Sequence, residues 1–226
     1  MPAPAADPPT VLLAGASGLI GRALLDVLLA PGRSERVAVL ARRPLAPARS
    51  DPRVRMRTGE LVTLAGEARG VRDVYITLGT TIKVAGSEAA FRAVDFDLVV
   101  GVARAALAAG AKRLAVVSAL GASARSGIFY NRVKGEAEDA LKALGYQSLV
   151  IAQPSLLLGD RTALGQPTRS GELFAARFLA PVMAWIPAAM RPIEATTVAR
   201  AMVAALEQAT PGTRVLSSAE MQRLGR

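Results

Sequence analysis

A chain of 226 residues, 51% of them hydrophobic, is long enough to bury a sizeable core as one α/β domain without disulfides or metal staples. The balance of 28 basic against 18 acidic side chains gives a net charge of +10, but only Lys83, Lys112, Lys134 and Lys142 are lysine; the arginines are scattered, and one Trp, three Tyr and five Phe are too few for a base-stacking platform, so no nucleic-acid partner is expected. The absence of Cys and His excludes disulfides, thiol catalysis and the usual transition-metal ligands, leaving proton chemistry to Tyr, Lys, Asp, Glu or Ser.

Residues 1–10 are rich in Pro and Ala and lack both the basic start and the apolar centre of a signal peptide, so a cytoplasmic location is expected. A short apolar run at 10–14 predicts the first strand, followed by a helix over 19–29. Residues 36–40, 53–57 and 73–77 read as the next three strands. The amphipathic segment 87–109 predicts one long helix, with Gly110 standing where a left-handed residue is wanted. A fifth strand at 113–118, a helix over 130–144 closed by Gly145, and a sixth strand at 148–153 continue the alternation. Near-continuous apolar strands separated by helices predict an α/β fold, a Rossmann-type doubly wound parallel sheet covered on both faces.

Beyond Pro154 a Gly/Pro/Ser-containing stretch, 159–171, leads to predicted helices over 172–180 and 194–208 and a strand at 213–216 that closes the sheet. The whole chain reads as one domain, with a core over about 10–158 and a small C-terminal substrate lobe over 159–226. The apolar segment 178–190 is interrupted by Pro181 and Pro187 and is too short to span a bilayer, so no membrane partner is expected. Core packing is its first reading; pocket lining or a homodimer face are the others, and the 87–109 helix is a second candidate dimer surface.

In an open α/β sheet, ligands sit at the carboxyl ends of the strands. Directly after the first strand comes Gly15, Ala16, Ser17, Gly18, Leu19, Ile20 and Gly21, a G-x-x-G-x-x-G run that opens the first helix. Glycines there permit a tight turn, close approach of a pyrophosphate and close helix–strand packing, while the helix N-terminus offers free N–H groups to the phosphates. At the end of the second strand, where NAD-preferring enzymes place an acid for the ribose 2′-hydroxyl, stand Arg42 and Arg43. A guanidinium suits a 2′-phosphate, so the expected cofactor is NADP(H).

Tyr130 and Lys134 are four residues apart on a predicted helix, hence on one face. A phenol near pKa 10 is a poor acid–base group until a neighbouring ammonium favours the phenolate. Ser118, at the end of the fifth strand, could place its hydroxyl on the same substrate oxygen. Ser118, Tyr130 and Lys134 are thus the candidate catalytic set.

The glycine run and this Ser/Tyr/Lys set resemble the short-chain dehydrogenase/reductase superfamily. The stretches T-L-G-T-T (from Thr77), V-V-S-A-L-G-A-S (from Val116), Y-N-R-V-K-G-E-A-E (from Tyr130) and Q-P-S-L-L-L-G-D-R (from Gln153) sharpen it. They are similar to its atypical branch, that of the Tat-interacting, metastasis-suppressor oxidoreductase and its nucleoside-diphosphate-sugar epimerase-like relatives. The resemblance runs from about Thr10 to Arg161 and implies that Leu78, Gly79, Thr80 and Thr81 lie along the cofactor. It also implies that Pro154, Ser155 and Leu156 sit near the nicotinamide, and that Tyr130 and Lys134 contact the cofactor. Glu60, beside Leu61, occupies the place where extended members carry an aspartate against adenine. The chain lacks the large C-terminal lobe with which sugar-nucleotide epimerases hold their substrate. The expectation is an NADPH-dependent reductase of a small, fairly apolar carbonyl compound, with a non-catalytic NADP(H)-binding regulator as the alternative.

Overall fold

Four consecutive buried residues, Val11–Ala14, form β1, and they can be buried on both faces because β1 lies in the middle of the sheet. The computed structural model describes residues 10–44, 51–158 and 191–226. The predicted helix 172–180 and the apolar segment 178–190 lie outside these residues. Strands β2 (Val37–Ala41), β3 (Val54–Thr58), β4 (Asp73–Ile76), β5 (Arg113–Val117), β6 (Ser148–Gln153) and β9 (Gly212–Ser217) join β1 in a seven-stranded sheet of order β3-β2-β1-β4-β5-β6-β9. Adjacent strands pair in parallel, and the order reverses between β1 and β4, the crevice where a dinucleotide straddles such a sheet. The expected Rossmann-type doubly wound fold is the observed one.

Successive residues of β1 feed opposite faces, as the strand's period of two requires. Leu13 packs with Leu24, Val39, Val150 and Met202 under α1 (Leu19–Leu28), α7 (Ala195–Glu207) and α8 (Ser218–Leu224). Leu12 packs with Leu40, Ile76, Val102, Leu114 and Leu141 on the other face. That face is covered by α2 (Leu61–Gly66), α5 (Val99–Ala108) and α6 (Phe129–Ala143). Ile20, Leu24 and Leu28 recur at four-residue spacing and turn the apolar stripe of α1 inward.

Three features depart from the predicted elements. The segment expected as one helix over 87–109 comprises α4 (Glu88–Arg92), a π-helical turn (Ala93–Leu98) and α5, so its i→i+5 turn widens the helix where Asp95 is buried. The short helices α2, α3 (Ile82–Ala85) and α8, and a two-stranded pairing of β7 (Leu157–Leu158) with β8 (Ile193–Glu194), were not predicted. Residues 195–217 of the expected C-terminal lobe belong to the sheet layer itself, α7 packing on α1 and β9 pairing along β6; 159–190 lie outside the described residues.

At the amino ends of the strands, arginines close on acids. Arg113 donates through Nε and Nη2 to the buried Asp73, which Arg72 also approaches at 3.2 Å. Arg53 reaches Asp51 at 2.7 Å and the carbonyls of Leu29 and Arg33 at 2.8 and 2.9 Å. Arg33 pairs with Glu35 at 2.6 Å and with Glu207 at the end of α7.

Candidate functional site

The glycine run folds as its spacing demands. Gly15 has φ +101°, and a Cβ there would lie 2.6 Å from the backbone and hydroxyl of Thr77, which ties β4 to the loop by donating to the Gly15 carbonyl at 3.1 Å. A Cβ on Gly21 would fall 2.1 Å from the Gly15 carbonyl, so the third glycine lets α1 press against its own loop. Gly18 differs: its backbone is ordinary extended (φ −81°) and a Cβ would meet only the Gly15 carbonyl at 3.5 Å. The protein itself would tolerate a side chain there; what its absence serves lies outside the fold. Gly18 is the N-cap of α1, no side chain caps that helix, and no acid stands in its first turn. The N–H groups of Leu19, Ile20 and Gly21 therefore lack intrahelical acceptors, which makes a fitting seat for a pyrophosphate. Ala16 is buried and Ser17 exposed beside it.

Arg42 and Arg43 follow β2, both exposed, with no ion-pair partner among the described residues. Glu60 sits at the matching end of β3, but its carboxylate caps α2, accepting from Thr63 N at 2.7 Å and Val62 N at 3.1 Å. Those donors hold its pKa below the ordinary carboxylate value. Leu61 directs its side chain into the core, so a ligand meeting this corner would meet mainly backbone.

Beyond the crevice, on the β4–β6 side, the chain brings together a set that was only half expected. Lys134, in α6, is buried, and its Nζ lies 2.8 Å from Oδ1 of Asp95, whose side chain is fully enclosed. Asp95 Oδ2 accepts the Thr80 N–H at 2.8 Å. A Cβ on the exposed Gly79 would lie 3.3 Å from Asp95 Oδ1 and 3.7 Å from Lys134 Nζ, so the loop after β4 lies directly over the pair. Leu78 packs against the core below, and Thr81 caps α3, accepting from Val84 N at 3.2 Å. Ser118 is buried and donates its hydroxyl to Glu138, which also accepts from Gln153 Nε2 at 2.8 Å. Asp95, Ser118, Lys134 and Glu138 surround one small cavity of about 10 Å³, room for roughly one water.

Tyr130 begins the same helix half-buried, its ring 5.3 Å from that of Phe91, and its hydroxyl has no hydrogen-bond partner among the described residues. The other tyrosines are structural. Burial raises Tyr75 and Tyr146 far above the ordinary phenol value, and Tyr146 donates to the Ala103 carbonyl at 2.6 Å. Among the described residues Tyr130 is thus the tyrosine whose hydroxyl the fold does not engage, although it does not line the cavity that holds Ser118. Gly135, one residue past Lys134, seats α6 against the loop after β5, since a Cβ would strike the Ser123 carbonyl carbon at 2.1 Å.

After β6, Pro154 is buried and accepts from Leu120 N at 3.0 Å. Ser155 is held on two sides, accepting through its hydroxyl from Ser218 at 3.0 Å and donating to the Arg191 carbonyl at 2.5 Å. Leu156 is exposed, and with Ile82, Val84, Leu120 and Ile128 it forms an apolar rim at this end of the sheet. A wider cavity, about 540 Å³, runs along the flank of α1 from Leu19 past Ala23 and Val27, with Leu158, Glu194 and Arg200 on its other side. Asp95 and Glu138 are the residues the motifs had not singled out. The sequence marks their positions, an acid at the four-residue spacing of Phe91 and Val99 and a glutamate one turn after Lys134, but not the side chains they meet.

The parallel sheet, the glycine cradle and the uncapped α1 make up a dinucleotide-binding fold like that of the atypical short-chain dehydrogenase/reductases. The chain belongs to the family described as NAD(P)H-binding, which matches residues 15–209. It is 31% identical over 188 residues to the mitochondrial protein fmp52 of Emericella nidulans, covering 80% of this chain and 78% of that protein. To the fmp52 protein of Aspergillus fumigatus it is 31% identical over 225 residues, covering 95% and 94%. Among solved structures, the Bordetella bronchiseptica enzyme WbmH in complex with NAD+ shares the fold at a TM-score of 0.68 and 16% identity, over 93% of this chain and 75% of that one. The expected cytoplasmic location is corrected by the fungal relatives, which are named as mitochondrial proteins.

Proposed function

We propose that the protein is an NADP(H)-dependent oxidoreductase that reduces a small apolar carbonyl compound. The observation that carries this reading is the opening of α6, where a Tyr130 hydroxyl without a partner among the described residues and a buried Lys134 share a helix face at the carboxyl ends of the central strands. The bound nicotinamide would supply a hydride. Tyr130 gives its proton to the carbonyl oxygen, and the positive charge of Lys134 stabilises the phenolate left behind. Ser118 supports the same oxygen once its hydroxyl turns from Glu138. Arg42 and Arg43, exposed and without ion-pair partners among the described residues where a 2′-phosphate would stand, support NADP over NAD. The rim of Ile82, Leu120, Ile128 and Leu156 supports an apolar substrate.

Loss of NADPH absorbance with aldehydes and ketones of graded chain length tests the reading. Turnover that rises with apolar length and is lost in Tyr130→Phe is expected; full activity in that variant sinks the proton-donor role.

A second reading is favoured by one observation, the engagement of the Ser118 hydroxyl with Glu138 and of Lys134 with Asp95. It is a non-catalytic regulator whose partner surface responds to NADP+ and NADPH differently. No carbonyl turnover, together with partner binding that depends on the nucleotide's redox state, would select it.

A further inference from the structure

We propose that Asp95 sets the balance between oxidised and reduced cofactor on this protein, by cancelling the charge of Lys134 beneath the loop that follows β4. This rests on nicotinamide binding and does not require turnover.

The geometry separates Asp95 from an ordinary buried anchor. Its Oδ2 is held by the Thr80 N–H at 2.8 Å, while Oδ1, 2.8 Å from Lys134 Nζ, makes no aligned hydrogen bond. The second contact is therefore charge against charge, inside a region where water does not screen it. The π-helical turn carries Asp95 into this position, and such turns are frequent at functional sites. Gly79, exposed, lies over the pair and puts no side chain of its own between the two charges and the crevice.

A dinucleotide crossing the switch point places one half over β1–β3 and the other over β4–β6. Arg42 and Arg43 mark the adenosine half, so the Asp95–Lys134 pair lies under the nicotinamide half. The nicotinamide ring is cationic when oxidised and neutral when reduced. An uncompensated ammonium below it disfavours the oxidised form, and an uncompensated carboxylate favours it. The other groups facing the pair are Glu138 and Ser118, around the same small cavity, with Gln153 donating to Glu138; Arg92 of α4 is engaged with Glu136. Removing the Asp95 charge moves the local balance in the positive direction whatever Glu138 carries, so the sign of the effect does not depend on it.

The test is a calorimetric titration of the full chain with NADP+ and with NADPH. Asp95→Asn keeps an acceptor for Thr80 and removes the charge. It is expected to raise the ratio of the NADP+ to the NADPH dissociation constant by about tenfold. Lys134→Gln, which leaves the carboxylate uncompensated, is expected to lower that ratio below wild type, and thermal melts establish that each variant is folded. Should Asp95→Asn not fold, the Lys134→Gln ratio decides alone. Equal weakening of both nucleotides, with the ratio unmoved, makes Asp95 a structural anchor and overturns the inference. Wild-type protein that binds neither nucleotide overturns the cofactor reading as well, a result distinguishable from the first.

Discussion

At the amino ends of the strands, Arg113 and Arg72 close on Asp73, Arg53 on Asp51 and two carbonyls, and Arg33 on Glu35 and Glu207. At the carboxyl ends, among the described residues, Arg42 and Arg43 stand exposed without ion-pair partners, α1 begins uncapped, and the Tyr130 hydroxyl has no hydrogen-bond partner. The same residue types thus do different things at the two ends of one sheet. Where guanidinium and carboxylate meet with their hydrogen bonds filled, charge holds the fold together and has nothing left for a ligand. Where donors are left open, the chain forgoes stability for binding. Acids at the carboxyl end are engaged within the fold: Glu60 and Glu220 accept from backbone N–H groups at the starts of α2 and α8, and Asp95 is matched by Lys134.

The sharpest way to break this comparison is to cross it. Asp73→Ala removes one partner of a largely buried pair and is expected to cost about 3 kcal/mol in urea denaturation. Nucleotide affinity of the folded variant, measured by calorimetry, is expected to stay at the wild-type value; a matching loss of affinity would mean the two ends are coupled. The converse variant, Arg42→Ala with Arg43→Ala, is expected to weaken NADPH by about 30-fold, roughly 2 kcal/mol, as charge-assisted hydrogen bonds require. NADH binding and the denaturation midpoint should hardly move, since both arginines are exposed and without ion-pair partners among the described residues. Equal affinity for the two reduced cofactors in the wild type would remove the argument for NADP.

Within the glycine run the comparison narrows to two positions. A Cβ at Gly18 meets only the Gly15 carbonyl at 3.5 Å, whereas at Gly21 it collides at 2.1 Å. Gly18→Ala is therefore expected to leave the melting temperature within a degree or two while weakening NADPH and NADH alike by about tenfold. If Gly18→Ala instead destabilises the apo protein and spares binding, Gly18 serves the fold.

The sheet was legible because its signals are local. Short strand runs of four to six residues gave β1 to β6 within a residue, and Gly110 and Gly145 have the positive φ expected of helix ends. The short α2, α3 and α8 escaped because they have too few residues for a period and owe their existence to the side-chain caps Glu60, Thr81 and Ser217. In the site, the glycine run and Tyr130–Lys134 could be read from spacing. The partners of Lys134 and Ser118 could not, because Asp95 and Glu138 meet them across elements and the π-helical turn that places Asp95 has no sequence period of its own. That Ser118 faces Glu138 depends on packing between β5 and α6, which a motif does not carry.

The smallest expected effect concerns an acid at the carboxyl end that serves the fold. Glu220 reaches back to the Ser217 N–H at 2.9 Å while Ser217 accepts from Glu220 N at 3.3 Å, a reciprocal cap on α8. The Ser217 N–H first, then its hydroxyl, hold the Glu220 carboxyl below its ordinary value of 4.5. A carboxylate depressed by folding contributes stability that is fully present above the unfolded value and is lost as pH falls through the folded one. Glu220→Gln keeps the capping geometry and removes the titration. Between about pH 5 and pH 3 the urea midpoint of the wild type should therefore fall more steeply than that of the variant, with Glu60 contributing a similar slope to both. Parallel acid limbs would mean that the Glu220 cap contributes nothing to the acid sensitivity of the fold.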